Sequence, residues 1–212
     1  KRIKNKNITK INGKTTLIDL TFDFIKKNLV KYDTMVSTDS NIIKKKAKNH
    51  KFLSPWIRPK RLSTDKAKSI NVIIHAINYY ESIGKYFDLI VLLQPTTPFR
   101  KIEDLRNMLN RWDNNTDLLV SVKETHDSPY FNLFEENSEG FLMKSKDIGI
   151  SRRQDSPKVY AFNGSLYLYK VSSIKSNHIK IIKKYVMQDP KYSIDIDSLI
   201  DFKLAEVFIN NV

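Results

Sequence analysis

Apolar and polar positions along the chain switch between two periods. Over 17–29, Leu17, Leu20, Phe24 and Ile25 recur at helical spacing, and Lys26 and Lys27 stand near the end, where a helix favours cations. Residues 33–37 read as a short strand ending in Ser37-Thr38-Asp39, and 41–50 as a lysine-rich helix. Ser69 is placed to cap a helix with Ile70, Ile73, Ile74 and Ile77 on one face. Residues 89–93 form a continuous apolar run, the pattern of a strand buried on both faces, and Pro95 and Pro98 stop it. A helix over 102–112 and strands over 118–122, 166–169 and 179–186 follow. Residues 193–197 lead into a last helix, with Ser198 or Asp197 as cap and Phe202, Ala205, Phe208 and Ile209 facing the core.

This alternation predicts an α/β fold with a largely parallel sheet, in which ligands bind at the carboxyl ends of strands. Ser37-Thr38-Asp39 and the loop from Gln94 to Arg100 both follow strands and can face one crevice. From 126 to 158 the pattern dissolves into polar and turn residues with scattered aromatics. That segment reads as an arm inserted into one α/β domain made of residues 1–125 and 159–212. The chain opens in a basic run with a helix close behind, so either a first strand is expected upstream of Lys1 or the fold opens with a loop.

Composition narrows the chemistry. No cysteine is present, which excludes disulfides, thiolate catalysis and cysteine-held metals, and fits a reducing cytoplasm. Four scattered histidines argue against a histidine metal site, and no apolar stretch or signal pattern suits a membrane. Lys and Arg outnumber Asp and Glu by 37 to 23, a net charge of +14. A polyanion partner would exploit such a surplus. However, the lysines are dispersed, and Lys, Asn and Ile abound as AT-rich coding gives. Attraction for phosphorylated small molecules is preferred to nucleic-acid binding.

Asp195 and Asp197 stand two apart in an extended stretch, so both carboxylates share one face. Magnesium is commonly held by such a pair together with substrate phosphates; the alternative is two solvated aspartates, one capping the last helix. Arg58, Arg100 and Arg152-Arg153 are candidate clamps for carboxylate or phosphate, or solvated basic loops. Lys1, Arg2, Lys4 and Lys6 can cradle a triphosphate or form a solvated terminus.

In order along the chain, Lys1 to Ile8, Val36-Ser37-Thr38-Asp39, Arg58-Pro59 with Leu62 to Asp65, Leu92 to Arg100, Arg153-Gln154 with Pro157, Asn163-Gly164 and Ser193 to Asp197 resemble the motifs of one family. It is the acylneuraminate cytidylyltransferases, or CMP-sialic acid synthetases, and the resemblance spans nearly the whole chain. It implies a Rossmann-like nucleotidyltransferase with a mostly parallel mixed sheet and an inserted dimerisation arm. It also implies a reaction in which the anomeric hydroxyl of a nonulosonic acid attacks the α-phosphate of CTP and releases pyrophosphate. By the same resemblance, Lys1 and Lys6 neutralise the triphosphate, Asn7 holds the nucleotide, and Arg58 and Ser69 contact the cytidine. Asp195 and Asp197 hold Mg²⁺, and Gln94 and Arg153 bind the sugar, in a homodimer. The base for the attacking hydroxyl is not identified. Phe131 stands near a place where sialic-acid versions often carry Lys, which leaves a related sugar such as legionaminate open. CMP-Kdo synthetases and other sugar nucleotidyltransferases are the nearest alternatives.

Overall fold

The computed structural model describes residue 3, residues 5–150 and residues 152–210. A 3-10 turn, Lys6–Ile8, precedes a small hairpin of β1 (Lys10–Ile11) and β2 (Thr15–Thr16), which leads into α1 (Leu17–Asn28). The Thr16 hydroxyl caps α1 by accepting the Asp19 amide at 3.3 Å. Next come α2 (Asn41–Asn49), a 3-10 turn (Lys60–Leu62), α3 (Ser69–Ser82), β3 (Leu89–Leu93), α4 (Ile102–Arg111) and β4 (Leu118–Thr125). After them, β5 (Phe134–Glu136) and β6 (Leu142–Lys144) pair as a separate hairpin, followed by a 3-10 turn (Arg153–Asp155). The chain then continues through β7 (Val159–Lys170), α5 (Val171–Lys175), β8 (Ile182–Val186), a 3-10 turn (Pro190–Ser193) and α6 (Leu199–Asn210).

The main sheet has the order β3-β7-β4-β8. β4 and β8 are parallel, whereas β7 runs antiparallel to both β3 and β4. Three strands therefore point one way and one returns between them, a mixed sheet. The reversal follows from the connection. Thr125 of β4 faces Val159 of β7, so residues 126–158 close what is topologically one long hairpin. A hairpin return gives an antiparallel pair, whereas a helical crossover gives a parallel one.

Both faces of the sheet are covered. Leu105 and Met108 of α4 pack on Leu119, Leu166 and Leu168 on one face. Ile73 and Ile77 of α3, with Val171 and Ile174, pack toward Ile90, Leu92 and Tyr169 on the other. A third cluster joins Leu17 of α1, Ile196, and Phe202 and Ala205 of α6. In it the fully buried Ile196 anchors the stretch between two exposed aspartates, a burial worth about 2 kcal/mol.

Four expectations change. Residues 33–37 form no strand; only a parallel bridge, Met35 to Leu53, survives. The chain turns away directly afterwards, because Thr38 accepts the Arg58 amide at 2.7 Å and its hydroxyl takes the Ser40 amide at 3.1 Å. β3 is half-buried throughout rather than sealed on both faces, because among the described residues it is an edge strand. Ser69 is the first helical residue of α3 and not its cap; Lys68 takes that place without a side-chain bond. β7 extends well upstream of 166–169 because it continues through a bulge. The last helix is capped as expected: the Ser198 hydroxyl accepts the Asp201 amide, and the Asp201 carboxylate accepts the Ser198 amide at 2.7 Å.

Asp117, just before β4, ties the far end of the sheet. Its carboxylate accepts the Ile181 amide at 2.8 Å, the Ser173 hydroxyl at 2.5 Å and the Lys180 amide at 2.9 Å, which hold its pKa down to about 2 from 3.8. A depressed carboxylate stabilises the fold above its unfolded pKa and loses that contribution as pH falls through the folded value. Asp117→Asn is therefore expected to lower the urea midpoint at neutral pH. The gap to the parent should close between pH 3.8 and about 2. A gap of constant size across that range would show that the charge plays no part.

Candidate active site

The loop leaving β3 is the hub of the site. Gln94 accepts the Thr97 amide at 3.2 Å, which closes a tight turn behind Pro95. Thr97 is fully buried, and its hydroxyl donates to the Asn163 carbonyl at 3.1 Å. Thr96 accepts the Ile196 amide at 2.8 Å. One short loop thus grips both the middle of β7 and the stretch holding the two aspartates.

β7 meets this loop with a bulge. Val120 faces Tyr167 and Val122 faces Phe162, so Ser121 alone stands opposite the four residues 163–166. Gly164 sits at the crest with φ +75°, a conformation that costs glycine little. A Cβ there would lie 2.8 Å from Thr97 Oγ1, 3.1 Å from Gln94 Oε1 and 3.7 Å from Asp195 Oδ2. Three site side chains therefore converge on a bare backbone. Beneath it, Asn163 is buried and saturated. Its oxygen accepts from the Ser121 hydroxyl at 2.6 Å and the Ser165 amide at 3.1 Å, and its amide donates to Ser193 Oγ at 2.9 Å and approaches Met187 Sδ. This knot fixes Ser193, two residues before Asp195.

Asp195 and Asp197 flank buried Ile196 and are themselves exposed, as their two-residue spacing predicts. Burial, and then the negative charge of Asp195, push the Tyr167 pKa up, which places that phenol within electrostatic reach of the carboxylate. Lys6 lies across the same stretch. Its ammonium donates to the Ile196 carbonyl at 2.8 Å and pairs with the Asp197 carboxylate. The turn that carries Lys6 also buries Asn7 Oδ1, which has no hydrogen-bond partner among the described residues, and packs Ile8 on the same cluster as Val36. This turn links the aspartates to the Ser37-Thr38-Asp39 segment.

At that segment Arg58 donates to Ser63 Oγ at 3.1 Å and pairs with Asp39 at 3.4 Å. Two of the quoted motifs thus meet, although no hydrogen bond among the described residues joins them to the Gln94 cluster. Ser69 is exposed, and its hydroxyl makes no side-chain hydrogen bond among the described residues. Arg153 lies on the exposed turn before β7 against His126, and among the described residues no hydrogen bond or ion pair joins it to Gln94 or Asp195. Lys1, with Arg2 and Lys4, lies outside the described residues. Arg100 is no solvated clamp: it is part-buried, and its donors go to protein acceptors. In the sequence Ser193 had no role beyond opening its motif, and Ser121 was not singled out. The signal for the bulge they support was Asn163-Gly164 inside an otherwise β-rich run.

The pair Asp195 and Asp197 fits a hard divalent cation. Both are oxygen donors, and the Lys6 ammonium already stands on Asp197 as a cation would. Among the described residues no group of three or more His, Asp or Glu could hold a metal, so the remaining ligands would come from substrate phosphates and water. No helix among the described residues is long and apolar enough to cross a membrane.

The fold comes first: a mixed sheet covered by helices on both faces, an α/β architecture shared with a solved nucleotidyltransferase. The chain superposes on CMP:2-keto-3-deoxy-manno-octonic acid synthetase complexed with CTP, with a TM-score of 0.68 over 99% of this chain and 93% of that one, at 11% identity. The chain belongs to the cytidylyltransferase family, whose model matches residues 1–212. It is 31% identical to the post-translational flagellin modification protein B of Campylobacter coli, over 99% of this chain and 90% of that protein. It is 29% identical to the CMP-N,N'-diacetyllegionaminic acid synthase of Legionella pneumophila, over 97% and 90%.

Proposed function

We propose that this protein transfers CMP from CTP to the anomeric hydroxyl of a nonulosonic acid and releases pyrophosphate. The observation that carries this reading is the convergence of Gln94, Thr97 and Asp195 on Gly164, with Lys6 pairing to Asp197 beside them. Full-length relatives with CMP-nonulosonate names support it.

The roles are those the family resemblance implies, set on the positions described above. Lys6 neutralises charge on the triphosphate, and Lys1 by resemblance does the same. Asn7 offers its unpartnered buried oxygen to a donor on the nucleotide. Arg58, held by Asp39 and Ser63, and Ser69, open at the head of α3, contact the cytidine. Gln94 meets the sugar, with its amide at the mouth of the bulge. Mg²⁺ held by Asp195 and Asp197 would offset charge on the transferring and leaving phosphates. Fixed charges in a preorganised site supply the larger part of catalysis in such transfers.

Arg153 binds the acidic sugar from a second copy of the chain. Residues 126–158 are the dimerisation arm, which accounts for Arg153 bonding His126 and not Gln94 within one chain. The exposed Phe134, Phe141, Leu142 and Met143 of the arm support a homodimer. The cysteine-free composition and the use of CTP suit the cytoplasm.

The test is pyrophosphate release from CTP and Mg²⁺ with a panel of legionaminic, pseudaminic and neuraminic acids, with Kdo and other nucleotides as controls. Release that requires CTP and one nonulosonic acid is expected. Release with Kdo alone, or with no sugar in the panel, would overturn the reading.

A further inference from the structure

We propose that Arg100 is a positioning residue that holds Gln94 and the β7 bulge in register for the sugar. This inference rests on the role assigned above to Gln94. The Arg100 guanidinium spends its donors on three elements: Nη2 on the Gln94 main-chain carbonyl, Nε on the Ser165 main-chain carbonyl at 3.2 Å, and Nη1 on Thr21 Oγ1 of α1 at 3.4 Å. Gln94 and Ser165 flank the two sides of the Gly164 convergence, so one rigid fork sets their separation. No carboxylate among the described residues pairs with Arg100, so its placement serves the two carbonyls and not an ion pair. Burial pulls its pKa down to about 9, which leaves it charged at neutral pH. Lysine keeps the charge, but a single ammonium cannot reproduce a planar fork reaching three acceptors.

The experiment is a double-mutant cycle with Arg100→Lys and Gln94→Ala, in steady-state assays with CTP and the sugar that the wild type uses best. R100K is expected to raise the KM for the sugar about tenfold while moving that for CTP less than about twofold, because the displaced group faces the sugar. On the Q94A background R100K should add less than about twofold, since the main chain that Arg100 holds then carries no side chain to present to the sugar. Equal rises in both KM values, or full additivity of the two substitutions, would overturn the proposal. If R100K does not fold, Thr21→Val removes one anchor of the guanidinium. It should then give the same sugar-selective shift more weakly, and an unchanged sugar KM would count against the proposal. If the wild type itself turns over no sugar, the function fails separately. A crystal structure of R100K then decides: Gln94 displaced from Gly164 supports positioning, and Gln94 unmoved refutes it.

Discussion

Asp197→Ala is expected to lower kcat/KM for sugar-dependent pyrophosphate release by about 10²–10³-fold, the scale on which removing one preorganised electrostatic group slows such enzymes. The loss should fall on activity and not on folding. The Asp197 side chain is 61% exposed, and its pairing with Lys6 is a surface ion pair worth about 0–1 kcal/mol. Ile196→Ala provides the contrast. It empties a fully buried position shared by α1, α6 and the aspartate stretch, at a cost of about 2–5 kcal/mol. Measuring kcat/KM and thermal midpoint for both variants separates the two effects. Near-normal turnover by a folded D197A would remove this aspartate from the chemistry.

Gly164→Ala is expected to damage stability and activity together. The φ of +75° costs an L-residue about 1–2 kcal/mol, and the added methyl meets Thr97 Oγ1 at 2.8 Å, an overpacking worth about 1–3 kcal/mol more. Thr97 cannot yield cheaply, because it is fully buried and bonded to the Asn163 carbonyl. Relief therefore comes through Gln94, at 3.1 Å, and a displacement of about 1 Å at a substrate-positioning group can cost about 10²-fold in rate. Gly84→Ala is the control. Its φ is +76°, yet nothing lies within 4 Å of the added Cβ, so it should lose stability and keep activity. If the two variants retain the same activity, the crowding at Gly164 has no bearing on catalysis.

Much of this was legible in the sequence. The helices at 17–29, 41–50 and 102–112 match α1, α2 and α4 within a residue or two, because each carries its own period and end signals. The paired carboxylates were legible for a similar reason: alternation over residues 195–197 sends Asp195 and Asp197 outward and Ile196 inward. The strand at 33–37 failed because two apolar residues in five cannot determine whether a ladder partner exists. Ser69 failed as a cap because capping depends on where the first turn starts, and two or three polar residues in a row offer equal choices.

The site residues themselves were named by resemblance, and their grouping was not. Lys6 and Asp197 are 191 positions apart and share an ion pair; Arg58 meets Asp39, while Arg153 meets His126. The sequence by itself determined the local elements, the side of the chain on which the aspartates emerge, and the absence of cysteine chemistry. Periods of two and 3.6 residues and the identity of side chains are local properties. Only the tertiary structure decided that β7 returns antiparallel between β3 and β4, that Gly164 is where three side chains converge, and that Arg100 binds carbonyls instead of substrate. Those outcomes depend on which distant segments share hydrogen bonds and buried area, a choice made by the whole chain at once.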